Sequence, residues 1–132
     1  MNLIICLDNN GGYSFAGRRQ SQDKIQAEKM LELVADGKLF VNEYTAKLFK
    51  ELPQNLIVCT DPISQAKEDD YCFIENISLQ NIVANKIIIY RWNRAYPSDK
   101  KFPQELLNGK KLVSTCDFMG NSHEKITQEV YL

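Results

Sequence analysis

The sequence predicts an α/β domain, with a mainly parallel central sheet, helices on both of its faces, and a C-terminal antiparallel hairpin. Three observations carry this. The run Ile87-Ile88-Ile89-Tyr90 is unbroken β-branched and aromatic, as suits a strand covered on both faces. Over the first two-thirds of the chain short apolar runs alternate with helix-like segments, the grammar of strand–helix units around a parallel sheet. After Trp92 the grammar changes, and two strand-like segments flank Gly120-Asn121-Ser122, which reads as a hairpin turn. At 132 residues the chain makes one domain, 1–132, long enough to bury roughly two-thirds of its unfolded surface.

Taken in order, Asn2 to Leu7 is the first strand, and Asp8-Asn9-Asn10-Gly11-Gly12 is dense turn chemistry. Tyr13 to Gln20 has no clear period and reads as a loop carrying Phe15, Gly17, Arg18 and Arg19. A helix follows, with Ser21 as N-cap, Asp23 in the first turn, and Ala27, Met30, Leu31 and Val34 on one face, and Gly37 stops it. Leu39 to Val41 is the second strand, and Glu43 to Glu51 a helix with Ala46, Leu48 and Phe49 turned inward, ended by Pro53. Leu56 to Cys59 is the third strand, Asp61-Pro62 a turn, Ile63 to Lys67 a weak helix and Tyr71 to Ile74 the fourth strand. Ile77, Leu79, Ile82 and Val83 predict one or two helical turns before the fifth strand, which runs from Lys86 towards Asn93. Pro97 and Pro103 bracket a polar loop, and the hairpin strands are Leu112 to Phe118 and Lys125 to Leu132, the latter with Ile126, Val130 and Leu132 on one side.

Composition excludes several function classes. Sixteen Lys and Arg stand against 17 Asp and Glu, a formal net charge of -1 with the signs interleaved, so neither nucleic acid nor an anionic membrane is an expected partner. Met1 to Asp8 has no basic segment and reaches a carboxylate early, which reads as the first core strand of a cytosolic protein. Cys6, Cys59, Cys72 and Cys116 make no C-x-x-C pair and read as reduced thiols serving as small buried hydrophobes. His123 is the only histidine and reads as a surface residue, leaving no metal-ligand cluster and little for a hydrolase triad. There is no P-loop, no G-x-G-x-x-G and no G-x-S-x-G elbow.

The collinear order of these pieces resembles dihydrofolate reductase. Leu3-Ile4-Ile5-Cys6-Leu7-Asp8 and the Gly-containing loop after it look like that family's first strand and mobile loop. Lys38 to Thr45 resembles its second strand and helix start, Asn55 to Thr60 its third strand, and Phe102-Pro103 and Gly120-Asn121-Ser122-His123 its late Phe-Pro and final turn. By this resemblance Asp23 lies about where the family keeps its acidic substrate-binding residue. The departures matter for function: Glu75-Asn76 stands where the family has Gly-Gly for its cofactor pyrophosphate, and Glu43 where it has a basic residue. The resemblance therefore implies a degenerate member of the fold whose NADPH site is lost. Phe15 to Asp23, Tyr90 to Arg94 and Ser122 to Thr127 also resemble a group of short bacterial proteins, some carrying a ribonuclease Z label. Ribonuclease Z needs a cluster of histidines and aspartates for two zinc ions, and one histidine cannot build it.

In an open α/β sheet the ligand crevice lies beyond the carboxyl ends of the strands. Those ends carry Asn10, Asn42, Glu43, Thr60, Asp61, Glu75, Asn76 and Trp92, and Arg18 or Arg19 is expected to close over them. The expected ligand-binding residues are thus Asn10, Arg18, Arg19, Asp23, Asn42 and Trp92, and the partner a small anionic or heterocyclic molecule. The competing structural readings are arginines paired to nearby carboxylates, a Trp92 packed under its loop, and an Asp23 that serves only its helix. The function expected is a non-enzymatic ligand-binding or regulatory module with no cofactor. The alternative is an NADPH-dependent reductase of a pteridine or pyrimidine-like substrate, with Asp23 as the candidate catalytic residue. A homodimer built on the free edge of the hairpin is compatible with either.

Overall fold

The computed structural model describes residues 1–132. In chain order the elements are β1 (Asn2–Leu7), β2 (Gly12–Phe15), β3 (Arg18–Arg19), α1 (Lys24–Val34), β4 (Leu39–Val41), α2 (Glu43–Ala46) and β5 (Leu56–Val58). There follow α3 (Pro62–Gln65), β6 (Tyr71–Phe73), β7 (Lys86–Arg91), β8 (Lys100–Lys101), a 3-10 turn at Gln104–Leu107, β9 (Leu112–Phe118) and β10 (Ile126–Tyr131). Seven strands form one sheet in the order β5-β4-β6-β1-β7-β10-β9. The first five are parallel, and β10 and β9 close it antiparallel, as the sequence predicts.

The central pair β1 and β7 is apolar in nearly every position because both sheet faces are covered. Leu3, Ile5, Leu7, Ile87 and Ile89 point to one face, under α3, the Ile77–Ala84 segment and the Gln104–Leu107 turn. Ile4, Ile88 and Tyr90 point to the other, against Met30 and Val34 of α1 and Ala46, Leu48 and Phe49 of and after α2. Helices on both faces follow directly from these two cores. No helix is long and apolar enough to cross a membrane.

Several local expectations are corrected. The Tyr13–Gln20 segment is not a loop: β2 and β3 form a hairpin, and β8 adds to it as a second sheet. Ala16 and Gly17 are its two turn residues, both with positive φ (51° and 74°), as a two-residue hairpin turn requires. Strands of four and two residues are too short to show a period, and Ala-Gly is a weak turn signal. Asp23, not Ser21, caps α1, accepting from the backbone N–H groups of Ile25 and Gln26. Regular α2 ends at Ala46 rather than Glu51, since Leu48 and Phe49 bond back only three residues, to Thr45 and Ala46. Residues 77–83 form no helix, and Asn81 there has a φ of 58°. Of the cysteines only Cys72 is buried; Cys6 and Cys59 are half-buried and Cys116 is exposed.

Candidate functional site

His123, expected on the surface, is buried at the centre of a polar network. The β9–β10 turn sets Asn121, Ser122 and His123 on the N-terminus of α1. Asp23 Oδ1 accepts from the Asn121 N–H at 3.0 Å, and Oδ2 from the Ser122 N–H at 2.8 Å. His123 Nδ1 lies 3.0 Å from Asp23 Oδ2, with side-chain exposures of 1% and 0%. The indole of Trp92 stacks on the imidazole at 4.5 Å between centroids and 17° between planes. On the other edge of the ring, Nε2 is 3.1 Å from Ser21 Oγ and 2.9 Å from the Tyr96 hydroxyl.

The electrostatics follow from these contacts. Burial alone would raise the Asp23 pKa. The donors on its carboxylate, the Asn121 N–H, His123, the Ser122 N–H and the Gln26 N–H, outweigh burial and hold it well below the ordinary carboxylate range. An ionised carboxylate only accepts, so Nδ1 of His123 carries the proton that faces Asp23, and Nε2 is within hydrogen-bond reach of the two hydroxyls. Gly120 permits the approach, because a Cβ there would sit 2.5 Å from Asp23 Oδ2.

A cleft of about 560 Å³ borders this network, between α1 and the Leu48–Glu51 segment. Ala27, Leu31, Leu48 and Phe49 are its apolar lining, and its charged groups are Lys24 and Lys50 with the carboxylates of Asp23, Glu28 and Glu51. Its volume is that of a small-molecule pocket. A second hollow of about 420 Å³ is lined by Phe15, Arg18, Gln20, Tyr96 and Pro97 among others.

At the carboxyl ends of β4 and β6 the crevice is covered by the β2–β3 hairpin. Arg19 Nε and Nη2 grip Glu75 Oε2 and Oε1 at 2.7 and 2.9 Å, and the guanidinium lies 4.4 Å from the Tyr44 ring centroid. Burial would lower the Arg19 pKa, but Glu75 raises it overall. Asn76 Nδ2 donates to the Gly17 carbonyl at 3.1 Å, and Asn42 Nδ2 to Asn76 Oδ1 at 2.9 Å. Cys6, at the end of β1, has its thiol pKa pushed up by burial and by the Glu75 and Asp23 carboxylates.

The expected site residues thus divide into separate groups. Asp23 and Trp92 meet through His123, whereas Arg19 and Asn42 belong to the ties that hold the hairpin. Arg18 is exposed and forms no salt bridge, and Asn10 is exposed in the turn after β1 with its N–H on Asp8. Trp92 offers no open face for stacking because His123 and the core cover it. Sequence reasoning missed Ser21 as a histidine partner, His123 itself, Tyr44 and Tyr96. It also missed Gln26, whose buried Nε2 has no hydrogen-bond partner, as does the buried Thr45 Oγ1. A signal did exist: the three runs 15–23, 90–94 and 122–127, singled out together, converge on His123. No group of three His, Cys, Asp or Glu side chains is placed to hold a metal ion.

Among solved structures the chain is similar to dihydrofolate reductase from Enterococcus faecalis, complexed with NADP(H) and RAB-propyl. The TM-score is 0.68 at 13% identity, covering 98% of this chain and 94% of that one. The fold is therefore dihydrofolate-reductase-like over essentially its whole length. No protein-family model matches the sequence, and no curated protein matches it.

Proposed function

We propose that this chain is a small-molecule-binding module on a dihydrofolate-reductase-like fold that has no dinucleotide cofactor site. The observation that carries this is the tie between Arg19 and Glu75. The residues at the strand ends do not fit the phosphates of NADPH: a buried carboxylate stands there, its one cationic partner is already engaged, and the hairpin bonded through Asn76 lies across the approach. The cleft beside α1 has no such cover. Its apolar lining suits a planar or aliphatic body, and its rim of both signs, Lys24 and Lys50 with Glu28 and Glu51, suits a heterocycle that carries an anionic group for the lysines and donors for the carboxylates.

The second reading is an NADPH-dependent reductase, favoured by the NADP(H) bound in the Enterococcus structure. Against it, Asp23 has its carboxylate occupied by backbone, serine and histidine donors rather than turned to a ligand. A thermal-shift panel with NADPH, NADP, folates, pterins and nucleotides separates the two. A ligand at 100 times its dissociation constant adds about 2.7 kcal/mol of stability. We expect a shift with an anionic heterocycle and none with NADPH; a shift of several degrees with NADPH overturns the reading.

The module is also proposed to be a homodimer. β9 is the longer of the two edge strands of the seven-stranded sheet and is exposed on both faces, with Leu112 at 49%, Val113 at 53% and the adjoining Met119 at 78%. An antiparallel pairing of β9 with its counterpart, centred on Ser114, sets Lys110 and Lys111 of each copy against Asp117 of the other.

A further inference from the structure

We propose that Ser21, His123 and Asp23 act as nucleophile, base and orienting carboxylate in the cleavage of small carboxylic esters, with Tyr96 as the oxyanion donor. The inference goes beyond ligand binding and does not depend on which molecule fills the cleft beside α1. It stands on three distances: Ser21 Oγ to His123 Nε2 at 3.1 Å, His123 Nδ1 to Asp23 Oδ2 at 3.0 Å, and Tyr96 hydroxyl to the same Nε2 at 2.9 Å. Each is within the reach that proton transfer between such groups requires.

The arrangement is held as a working base must be held. Trp92 stacked on its face fixes the plane of the ring, and the Asp23 carboxylate fixes its tautomer, leaving Nε2 as the free lone pair. Because Asp23 is itself fixed by the Asn121 and Ser122 N–H groups and by α1, it orients the imidazole without moving. Two hydroxyls compete for the one lone pair of Nε2. When Ser21 donates to it, the Tyr96 O–H is released towards the space beside Ser21 Oγ, where negative charge develops on a substrate carbonyl.

Access points the same way. His123 and Asp23 are buried, whereas Ser21 is half-buried and is the member of the three nearest to solvent. Its two neighbours bracket it: Gln20 lines the 420 Å³ hollow and Gln22 the 560 Å³ cleft.

The reaction balances with water as the only co-reactant. Ser21 Oγ bonds to the carbonyl carbon while its proton passes to Nε2. The carbon–alkoxy bond then breaks, and the leaving alkoxide takes that proton. A water attacks the acyl-Ser21 ester, gives its proton to Nε2 and displaces the serine, which takes the proton back as the acid departs.

The test uses the full chain with a fluorophosphonate probe and with p-nitrophenyl acetate. The expected result is one covalent phosphonyl adduct per chain, mapped to Ser21 by peptide mass spectrometry and absent after heat denaturation. Ser21→Ala removes only a half-buried hydroxyl ahead of the helix, so it is expected to fold, to take no label and to lose about a hundredfold or more of esterase rate. Tyr96→Phe keeps the ring and is expected to lower kcat on the order of 10²-fold with KM unchanged. No adduct on the native chain, an adduct on another residue, or a Ser21→Ala variant that hydrolyses ester as fast as the parent overturns the proposal. Ligand shifts in the cleft are unaffected by Ser21→Ala, so failure here is distinct from failure of the binding module.

Discussion

The His123 imidazole lies 3.0 Å from the Asp23 carboxylate across 100 residues of sequence, and that contact fastens the C-terminal hairpin to the start of α1. Asp23 therefore does two structural tasks at once, capping a helix and pairing a buried ring. Removing Asp23 leaves the buried Nδ1–H of His123 without its acceptor, which costs about 1–3 kcal/mol. Asp23→Ala adds the loss of a cap, about 1 kcal/mol more. Urea unfolding of Asp23→Ala is expected to show a midpoint well below that of an exposed-site control such as Asp36→Ala. Equal midpoints would mean the contact does not hold in solution.

The same carboxylate sets a pH dependence. Its folded pKa lies below the ordinary value of 3.8, so the unfolded chain binds the proton more readily. The stability it contributes is fully present above that value and is withdrawn as pH falls through and below it. Urea midpoints from neutral pH down into this acid range should decline for the native chain, with a shallower decline for Asp23→Asn. Parallel slopes in the two proteins would show that other carboxylates carry the acid sensitivity.

Arg19 and Glu75 couple the β2–β3 hairpin to the sheet. Glu75 is 7% exposed and Arg19 20%, so the pair is only partly screened by water. Arg19→Ala strands a buried carboxylate and is expected to destabilise by about 2–3 kcal/mol, somewhat under the cost for a fully buried pair. Adding Glu75→Gln to Arg19→Ala should recover part of that loss, since the stranded charge is gone. A double-mutant cycle with no coupling between the two positions would show that they do not meet.

How much of this was legible in the sequence differs by length scale. The central sheet was readable because β1 and β7 are six-residue strands built on apolar runs, Leu3 to Leu7 and Ile87 to Tyr90, and burial on both faces leaves no other use for them. The β2–β3 hairpin was not, because it lies in short strands around Ala16-Gly17, whose conformation only the backbone reveals. Asp23 carries two readings in the sequence, a ligand contact and a residue that serves its own helix, because a helix-start aspartate looks the same either way; the structure shows the helix cap and adds the bond to His123. His123 is misplaced for a more basic reason. A lone histidine has no local pattern, and the groups that bury it, Trp92, Tyr96, Ser21 and Asp23, come from two segments distant from it in sequence. Arg19 was chosen for its fit to anions, and that same geometry is what it uses on Glu75.

The edge strand β9 makes the last prediction. A strand with seven residues, both faces open and few charges is a template for pairing, and this one is complementary to itself: Lys110-Lys111 precede it and Asp117 lies near its end. Asp117 Oδ1 already accepts from Thr127 Oγ1 at 2.7 Å, which leaves Oδ2 for a lysine of a second copy. Directly opposed Cβ atoms across such a pair lie about 4.5–5.5 Å apart, close to what a disulfide spans. Ser114→Cys is therefore expected to run as a cross-linked dimer after mild oxidation, whereas the native chain, with Cys116 off the two-fold axis, is not. Val113→Lys should shift the mass seen by light scattering towards the monomer by setting like charges along the seam. A native protein that scatters as a monomer at every concentration, or a Ser114→Cys variant that never cross-links, would place the function of β9 elsewhere.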